Sequence, residues 1–304
     1  MVAELYIVAE SFANNVNLPT PEIENKTKAL AEDFVYIRKY KDTNKLYVHP
    51  DIYNVNYLNE ILLSDLVYNW QTAKQHIDRD VFNALQKIVI ESATTTHTSQ
   101  EVIEVLLPEH DENLCHGLVA FNQIQNVQPE FQIVYDTQSW LKFRRYFLSL
   151  YPKNANFFMS ECTKYFPDIL FHANNWNTVG DILPEFSTKI IYHLSALNDR
   201  FRESQDGHRN RQQVLEHFSL NCHLDETASL EGEASRKPKF TYEFSNSTGG
   251  RRNICCEPHL KLCSSGNAGD NTYYFHRVYF HEGFPDFDEG RILVGHIGEH
   301  INFD

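Results

Sequence analysis

The sequence predicts an α+β protein, and three observations carry that prediction. Apolar residues recur at three- and four-residue spacing through the middle of the chain, which is how helices with one buried stripe read. From Lys239 to Asp304 the pattern changes to short runs of β-branched and aromatic residues divided by turn residues. At 304 residues the chain also exceeds the common domain size of about 100–150 residues, so more than one domain is expected. The expected architecture is a helix-rich region over residues 1–183 carrying a small N-terminal strand and hairpin element. Two helices and an antiparallel β-meander follow over residues 184–304.

In chain order, LYIVA within Glu4–Glu10 reads as a buried strand. A helix follows from Pro21, where proline in the first turn beside Glu22 and Glu24 suits a helix start. Phe34–Lys39 and Lys45–His49 flank Tyr40–Asn44 and read as a hairpin. From Tyr57 to Leu107 apolar residues such as Leu58, Ile61 and Leu62, then Val81, Leu85, Ile88 and Val89, follow helical spacing. Phe131–Tyr135 reads as a strand, and Ser139–Tyr151 and Asn156–Phe166 as aromatic-rich helices. Leu183–Glu203 and Arg209–Leu220 form the two helices ahead of the meander, joined by a turn at Ser204–His208. Asp225–Lys237 is polar and lacks large aromatics, which predicts a flexible connection or exposed loop. The meander strands are then Lys239–Ser245, Arg251–Leu262, Tyr273–His281 and Arg291–His296.

Composition bounds the function. Hydrophobic residues at 42% and aromatics at 13% describe an ordinary globular protein. No apolar run approaches the ~20 residues a membrane helix needs, and the start lacks a basic signal-peptide region, so the expectation is a soluble, cytoplasmic protein without a membrane partner. Six cysteines are too sparse for a disulfide scaffold. A net charge of −14 argues against non-specific nucleic-acid binding. That charge is uneven: residues 1–235 hold 19 Lys and Arg against 32 Asp and Glu, whereas residues 236–304 hold 8 against 9. The C-terminal segment, with His259, His276, His281, His296 and His300, is therefore the part suited to an anionic ligand.

Several chemistries are weighed against that segment. Cys255, Cys256, His259 and Cys263 lie within nine residues and are zinc-type ligands. Strand alternation, however, places Cys255 and Cys256 on opposite faces, and no second CxxC or HxxxH completes a set, so no metal and no other cofactor is expected. No GxSxG elbow supports a serine hydrolase, and neither Gly249-Gly250 nor Gly295/Gly298 has the strand-loop-helix context of a nucleotide loop. What remains is a set of basic and imidazole groups from several strands on one face. Arg277, Lys261, His281, His296 and His300 are the candidate catalytic residues, and Arg251, Arg252 and His259 the candidate substrate contacts. Such groups suit metal-independent RNA cleavage, in which a base takes the 2′-hydroxyl proton, an acid protonates the leaving oxygen and a cation stabilises the phosphorane.

The runs EPHLKL (Glu257–Leu262), HRVYF (His276–Phe280) and GRILVGHIGEH (Gly290–His300), preceded by two helices, resemble the RelE/ParE-like toxin superfamily over about residues 184–304. The resemblance implies two helices before a β-meander, and mRNA cleavage, free or ribosome-dependent, for RelE-like members or gyrase inhibition for ParE-like ones. Arg277 matches the basic residue of the central strand, Lys261 that of the preceding strand, and His296 or His300 the acid/base positions of the terminal strand. Toxins of this kind are small and basic, whereas this chain adds about 180 residues and a strongly acidic remainder. The expectation is an effector, as in bacterial or phage defence, that acts on RNA or the ribosome while its acidic N-terminal region restrains it or binds a protein partner. The alternative is a non-catalytic interaction module, in which Trp70, Trp140 and Trp176 of the first 180 residues either meet a partner or pack the core.

Overall fold

The structure is a computed structural model and describes residues 1–13, 18–40, 44–58, 60–121, 130–205, 210–231, 234–262 and 276–301. It combines helices and sheets in an α+β protein that falls into two compact units, Met1–Phe147 and Leu148–Asp304. No helix among the described residues is long and apolar enough to cross a membrane.

The first unit is built on a parallel sheet. Strands β1 (Val2–Ile7), β2 (Asn44–Val48), β3 (Ala93–Thr94), β4 (Leu114–Val119) and β5 (Ile133–Val134) lie in the order β3-β2-β1-β4-β5. Leu5 and Ile7 of β1 alternate with Tyr6, and all three are buried, as expected of a parallel sheet covered on both faces. Helix α1 (Thr20–Arg38) begins with proline in its first turn, and α3 (Thr137–Leu150) lies beside it, with Tyr36 of α1 edge-on to Trp140 at 5.3 Å. A Cβ on Gly117 of β4 would lie 2.8 Å from the Phe143 ring and 2.9 Å from Leu5, which places α3 on the Leu5 face. Tyr6 and Leu118 instead pack with Val102 and Leu107 from the segment between β3 and β4. Helix α2 (Arg79–Leu85) is capped by Asp78, whose carboxylate accepts from the Val81 amide at 2.8 Å.

Two expectations are corrected here. The Phe34–Lys39/Lys45–His49 hairpin does not form, because Leu30, Phe34 and Ile37 continue the buried stripe of α1 and Asn44–Val48 pairs with β1 in parallel. The N-terminal element is thus a five-stranded sheet rather than one small strand with a hairpin. The strand order reverses between β1 and β4, the position where parallel sheets hold ligands at their carboxyl ends. Among the described residues that position carries Phe12 against Phe121, rings 4.1 Å apart.

The second unit holds the C-terminal sheet. After α4 (Ala155–Tyr165) come β6 (Ile169–Phe171), α5 (Leu183–Arg200), α6 (Arg211–Asn221), β7 (Thr241–Ser245), β8 (Arg251–Cys255), β9 (His259–Lys261), β10 (His276–His281) and β11 (Ile292–Glu299). Asn154 and Asn210 cap α4 and α6 by accepting from the Phe157 and Gln213 amides at 3.0 and 2.9 Å. Strands β9, β10 and β11 form an antiparallel meander, and β6, ahead of residue 184, adds in parallel to β11. Strands β7 and β8 pair separately as a two-stranded sheet, so the expected strand Arg251–Leu262 is divided between two sheets.

Alternation along β10 separates the two faces of the meander. Phe280 meets Phe201 edge-on at 5.3 Å and Phe201 meets Phe218 at 5.0 Å, so α5 and α6 cover the face carrying Phe280. On the opposite face Tyr279 and Leu293 join Phe240, Phe244, Ile254 and Cys256 under the β7–β8 hairpin. The hairpin approaches so closely that a Cβ on Gly295 would lie 2.5 Å from the Tyr242 ring and 3.0 Å from the Cys256 sulfur.

Asp225–Lys237 is not a free connection: Asp225, Thr227, Ser235 and Lys237 are exposed, but Ala228 and Glu231 are buried. Ala228 is buried and its amide donates to Ser219 Oγ at 2.8 Å. Ser229 and His259 exchange backbone hydrogen bonds of 3.2 and 2.9 Å, which extends the sheet beyond β9.

Candidate active site

Strand register sets the site. His259 pairs with Tyr279 and Tyr279 with His296, while Lys261 pairs with Arg277 and Arg277 with Gly298. Side chains two apart on a strand share a face, so His259, Lys261, Arg277, Tyr279, His296 and, two residues beyond Gly298, His300 belong to one face of the meander. The hairpin covers the Tyr279 and Leu293 end of that face and leaves a polar end around Arg277.

At that polar end the centre is Glu231, from the segment docked against β9. It is only 7% exposed. Its Oε1 receives the Arg277 guanidinium and the Tyr279 hydroxyl (3.4 Å) and lies 3.7 Å from both His259 Nδ1 and His300 Nε2. Its Oε2 is 4.0 Å from Arg236. Arg277 also donates to the Tyr279 hydroxyl at 3.2 Å. A buried carboxylate is tolerated where charge and hydrogen bonds compensate it, and two guanidinium groups and the Tyr279 hydroxyl do so here, with the two imidazoles beside them. Lys261 lies beside this cluster, with Nζ 3.7 Å from Glu226 and its carbonyl accepting from His193 Nε2 at 2.9 Å.

His259 is 3% exposed, and burial followed by the neighbouring Arg277 charge pushes its pKa down to about 3, so it is neutral. Its Nε2 lies 3.0 Å from Ser229 Oγ and its Nδ1 is 3.4 Å from the Glu257 carbonyl. A tautomer with the proton on Nδ1 donates to that carbonyl and accepts from the serine. His259 therefore orders the Glu231 surroundings without carrying charge.

Four of the sequence candidates lie elsewhere. His296 shares the sheet face, but both ring nitrogens are engaged: Nε2 donates to the Glu299 carbonyl at 2.8 Å and Nδ1 accepts from Asn174 at 3.2 Å. Burial also holds its pKa below the usual value. His296 is also buried. His281 is stacked on Phe284 at 4.3 Å, accepts from the Gly283 amide at 3.1 Å and sits 3.7 Å from Glu282, which itself pairs with Arg211. Arg252 lies over the Phe284 ring at 3.9 Å and reaches Asp286 at 3.2 Å. Arg251 pairs with Glu243 at 3.2 Å on the exposed hairpin.

Of the proposed residues, then, Arg277, His300, His259 and Lys261 come together, whereas Arg251, Arg252, His281 and His296 do not. Sequence reading missed Glu231, Tyr279 and Arg236. Tyr279 was accessible through the period of two from Arg277 in HRVYF. Glu231 was not, because its approach depends on a docking partner 28 residues away in sequence.

No group of three or more His, Cys, Asp and Glu side chains that could hold a metal ion occurs among the described residues. Cys255 ends β8 and packs against the hairpin core, Cys256 follows it inside that core, and Cys263 lies outside the described residues. Compared with protein-family models, with curated proteins and with solved structures, the chain matches none of them.

Proposed function

We propose that the C-terminal unit is a metal-independent RNA-cleaving effector whose active face is the polar end of the β9-β10-β11 meander. The observation that carries this reading is a carboxylate, an imidazole and a guanidinium converging on one point: Glu231 with His300 and Arg277. Phosphodiester transfer needs a base, an acid and a cation, and these three groups can fill those roles. Glu231 takes the proton of the 2′-hydroxyl as its oxygen forms a bond to phosphorus. The bond from phosphorus to the 5′-oxygen breaks, and protonated His300 delivers its proton to that oxygen. Arg277, joined by Arg236, neutralises the charge on the phosphorane oxygens. The products are a 2′,3′-cyclic phosphate and a 5′-hydroxyl, with no redox change and no cofactor. The order of α5, α6 and the β9-β10-β11 meander supports this reading, although β6 and the β7–β8 hairpin stand outside the toxin pattern, and the role proposed is that of a toxin-like effector in bacterial or phage defence.

A second reading, a non-catalytic interaction module, draws on a different observation. Arg277, Lys261, Arg251 and Arg252 each face a carboxylate of the chain itself. A growth assay separates the two. Expression of the wild type is expected to arrest growth and fragment total RNA, with Arg277→Ala and His300→Ala relieving both effects. Normal growth with intact RNA on strong wild-type expression would favour the interaction module.

A further inference from the structure

The segment between α6 and β7 delivers two carboxylates, Glu226 and Glu231, to the sheet face of Lys261 and Arg277, and a third, Asp225, to helix α5. Asp225 pairs with Lys189, Glu226 with Lys261 at 3.7 Å, and Glu231 with Arg277. Among the described residues strand β9 is the outer strand of its sheet, and the segment adds to it through one residue pair, Ser229 with His259. One bridge pair and the buried Ala228 hold the strap near Glu226, whereas Glu231 anchors its far end in the Arg277 cluster, so local opening is confined to the Glu226 side.

Register places Lys261 directly opposite Arg277, and cross-strand neighbours on one face stand ~5 Å apart. If the scissile phosphate lies at Arg277, Lys261 is positioned for the next phosphate along the chain. Glu226, about one-quarter exposed, already occupies that ammonium. A carboxylate and a phosphate oxygen compete for the same donor.

We propose that residues 225–231 form an acidic strap that gates the site through Glu226 alone: the Glu226 carboxylate occupies Lys261, the partner for the phosphate neighbouring the scissile one, and an RNA backbone enters by displacing that carboxylate while Glu231 stays beside Arg277 and His300. The inference rests on the RNA-cleaving reading for the identity of the ligand. It places restraint inside the C-terminal unit, on a segment of seven residues, and needs no contribution from the acidic first unit.

The full chain carrying Glu226→Gln tests it, with inorganic pyrophosphate and a fully 2′-deoxy oligonucleotide as non-cleavable probes. Both are expected to bind about three- to fivefold tighter than to the wild type, the effect of removing one partly exposed competing ion pair. The value of kcat on RNA stays within about twofold, so the gain appears in KM. Adding Lys261→Gln to Glu226→Gln is expected to erase the gain, because the two side chains act as one pair. Unchanged affinities in Glu226→Gln, or a gain that survives Lys261→Gln, would overturn the strap. If pyrophosphate follows the expected pattern but no RNA is cut, the strap stands and the RNA-cleaving reading falls. If RNA is cut but Glu226→Gln has no effect, the strap alone falls.

Discussion

Glu231→Gln is expected to abolish RNA cleavage, lowering the single-turnover rate about 10²–10⁴-fold, while RNA binding is kept or strengthened. The side chain keeps its size and hydrogen-bonding reach, so Arg277, Tyr279 and His300 retain a partner of the same shape at the same place. What disappears is the carboxylate that accepts the 2′-hydroxyl proton. Removal of its charge also leaves the Arg277 guanidinium more available to phosphate. A role limited to holding the fold predicts the reverse, because truncating one partner of a buried pair destabilises more than replacing it isosterically. The decisive comparison is therefore rate against affinity in the same variant. Lost affinity together with a lowered melting temperature would assign Glu231 to structure.

Acidification is expected to destabilise the second unit strongly between about pH 6.5 and pH 4. His193 and His259 have pKa values pushed by burial down to about 4 and about 3, and burial lowers those of His281 and His296 as well. An unfolded chain titrates its histidines near pH 6.5, so below that value the unfolded state binds protons that the folded state refuses. The stabilisation by these neutral histidines is complete above pH 6.5 and is lost as the pH falls towards their folded values. At pH 5 a fully buried histidine of this kind costs about 2 kcal/mol, and two amount to a large part of an ordinary domain stability of about 5–15 kcal/mol. Thermal melts at pH 7.5 and 5 are expected to differ by about 10 °C. His193 hydrogen-bonds the Lys261 carbonyl through Nε2, a contact that glutamine can supply, so His193→Gln makes the pH dependence shallower. A melting temperature unchanged between the two pH values would show that these imidazoles are not held neutral by the fold.

The parts of this fold that were legible in sequence are those whose burial repeats locally. Ile190, Leu194, Leu197 and Phe201 announce α5 because each turn returns to the same sheet. The two-residue period of HRVYF likewise assigns Arg277 and Tyr279 to one face and Phe280 to the other. Phe34–Lys39 misled for a physical reason. Its aromatic and β-branched residues favour strands, but Phe34 and Ile37 lie on the buried stripe that begins at Ile23, and packing outweighs propensity. The parallel sheet was hidden because Ala3 pairs with Asn44 on one side and with Cys115 on the other, over sequence separations that no local pattern records.

The candidate site divides along the same line. Arg277, Lys261, His259 and His300 stood out because basic and imidazole residues on short strands are visible in composition. Glu231 sits in a run, DETASLEGEASRK, that looks like solvated linker, and what holds it is the Ser229–His259 backbone pair with its own contacts to Arg277 and Tyr279, with little apolar anchoring beyond Ala228. Composition records side chains and not backbone pairing, so a docked polar strap and a free one read alike. The same blindness promoted His296, whose ring is spent on Asn174 and the Glu299 carbonyl.

The most direct test of the catalytic face is single-turnover cleavage by the purified full chain in EDTA, using an RNA oligonucleotide and a copy with one 2′-deoxyribose at the cut position. Cleavage of the RNA to a 2′,3′-cyclic phosphate and a 5′-hydroxyl, loss of that cut in the 2′-deoxy copy, and loss of activity in Glu231→Gln is the predicted result. Cleavage of the 2′-deoxy copy at the same position, or activity that persists in Glu231→Gln, would contradict it.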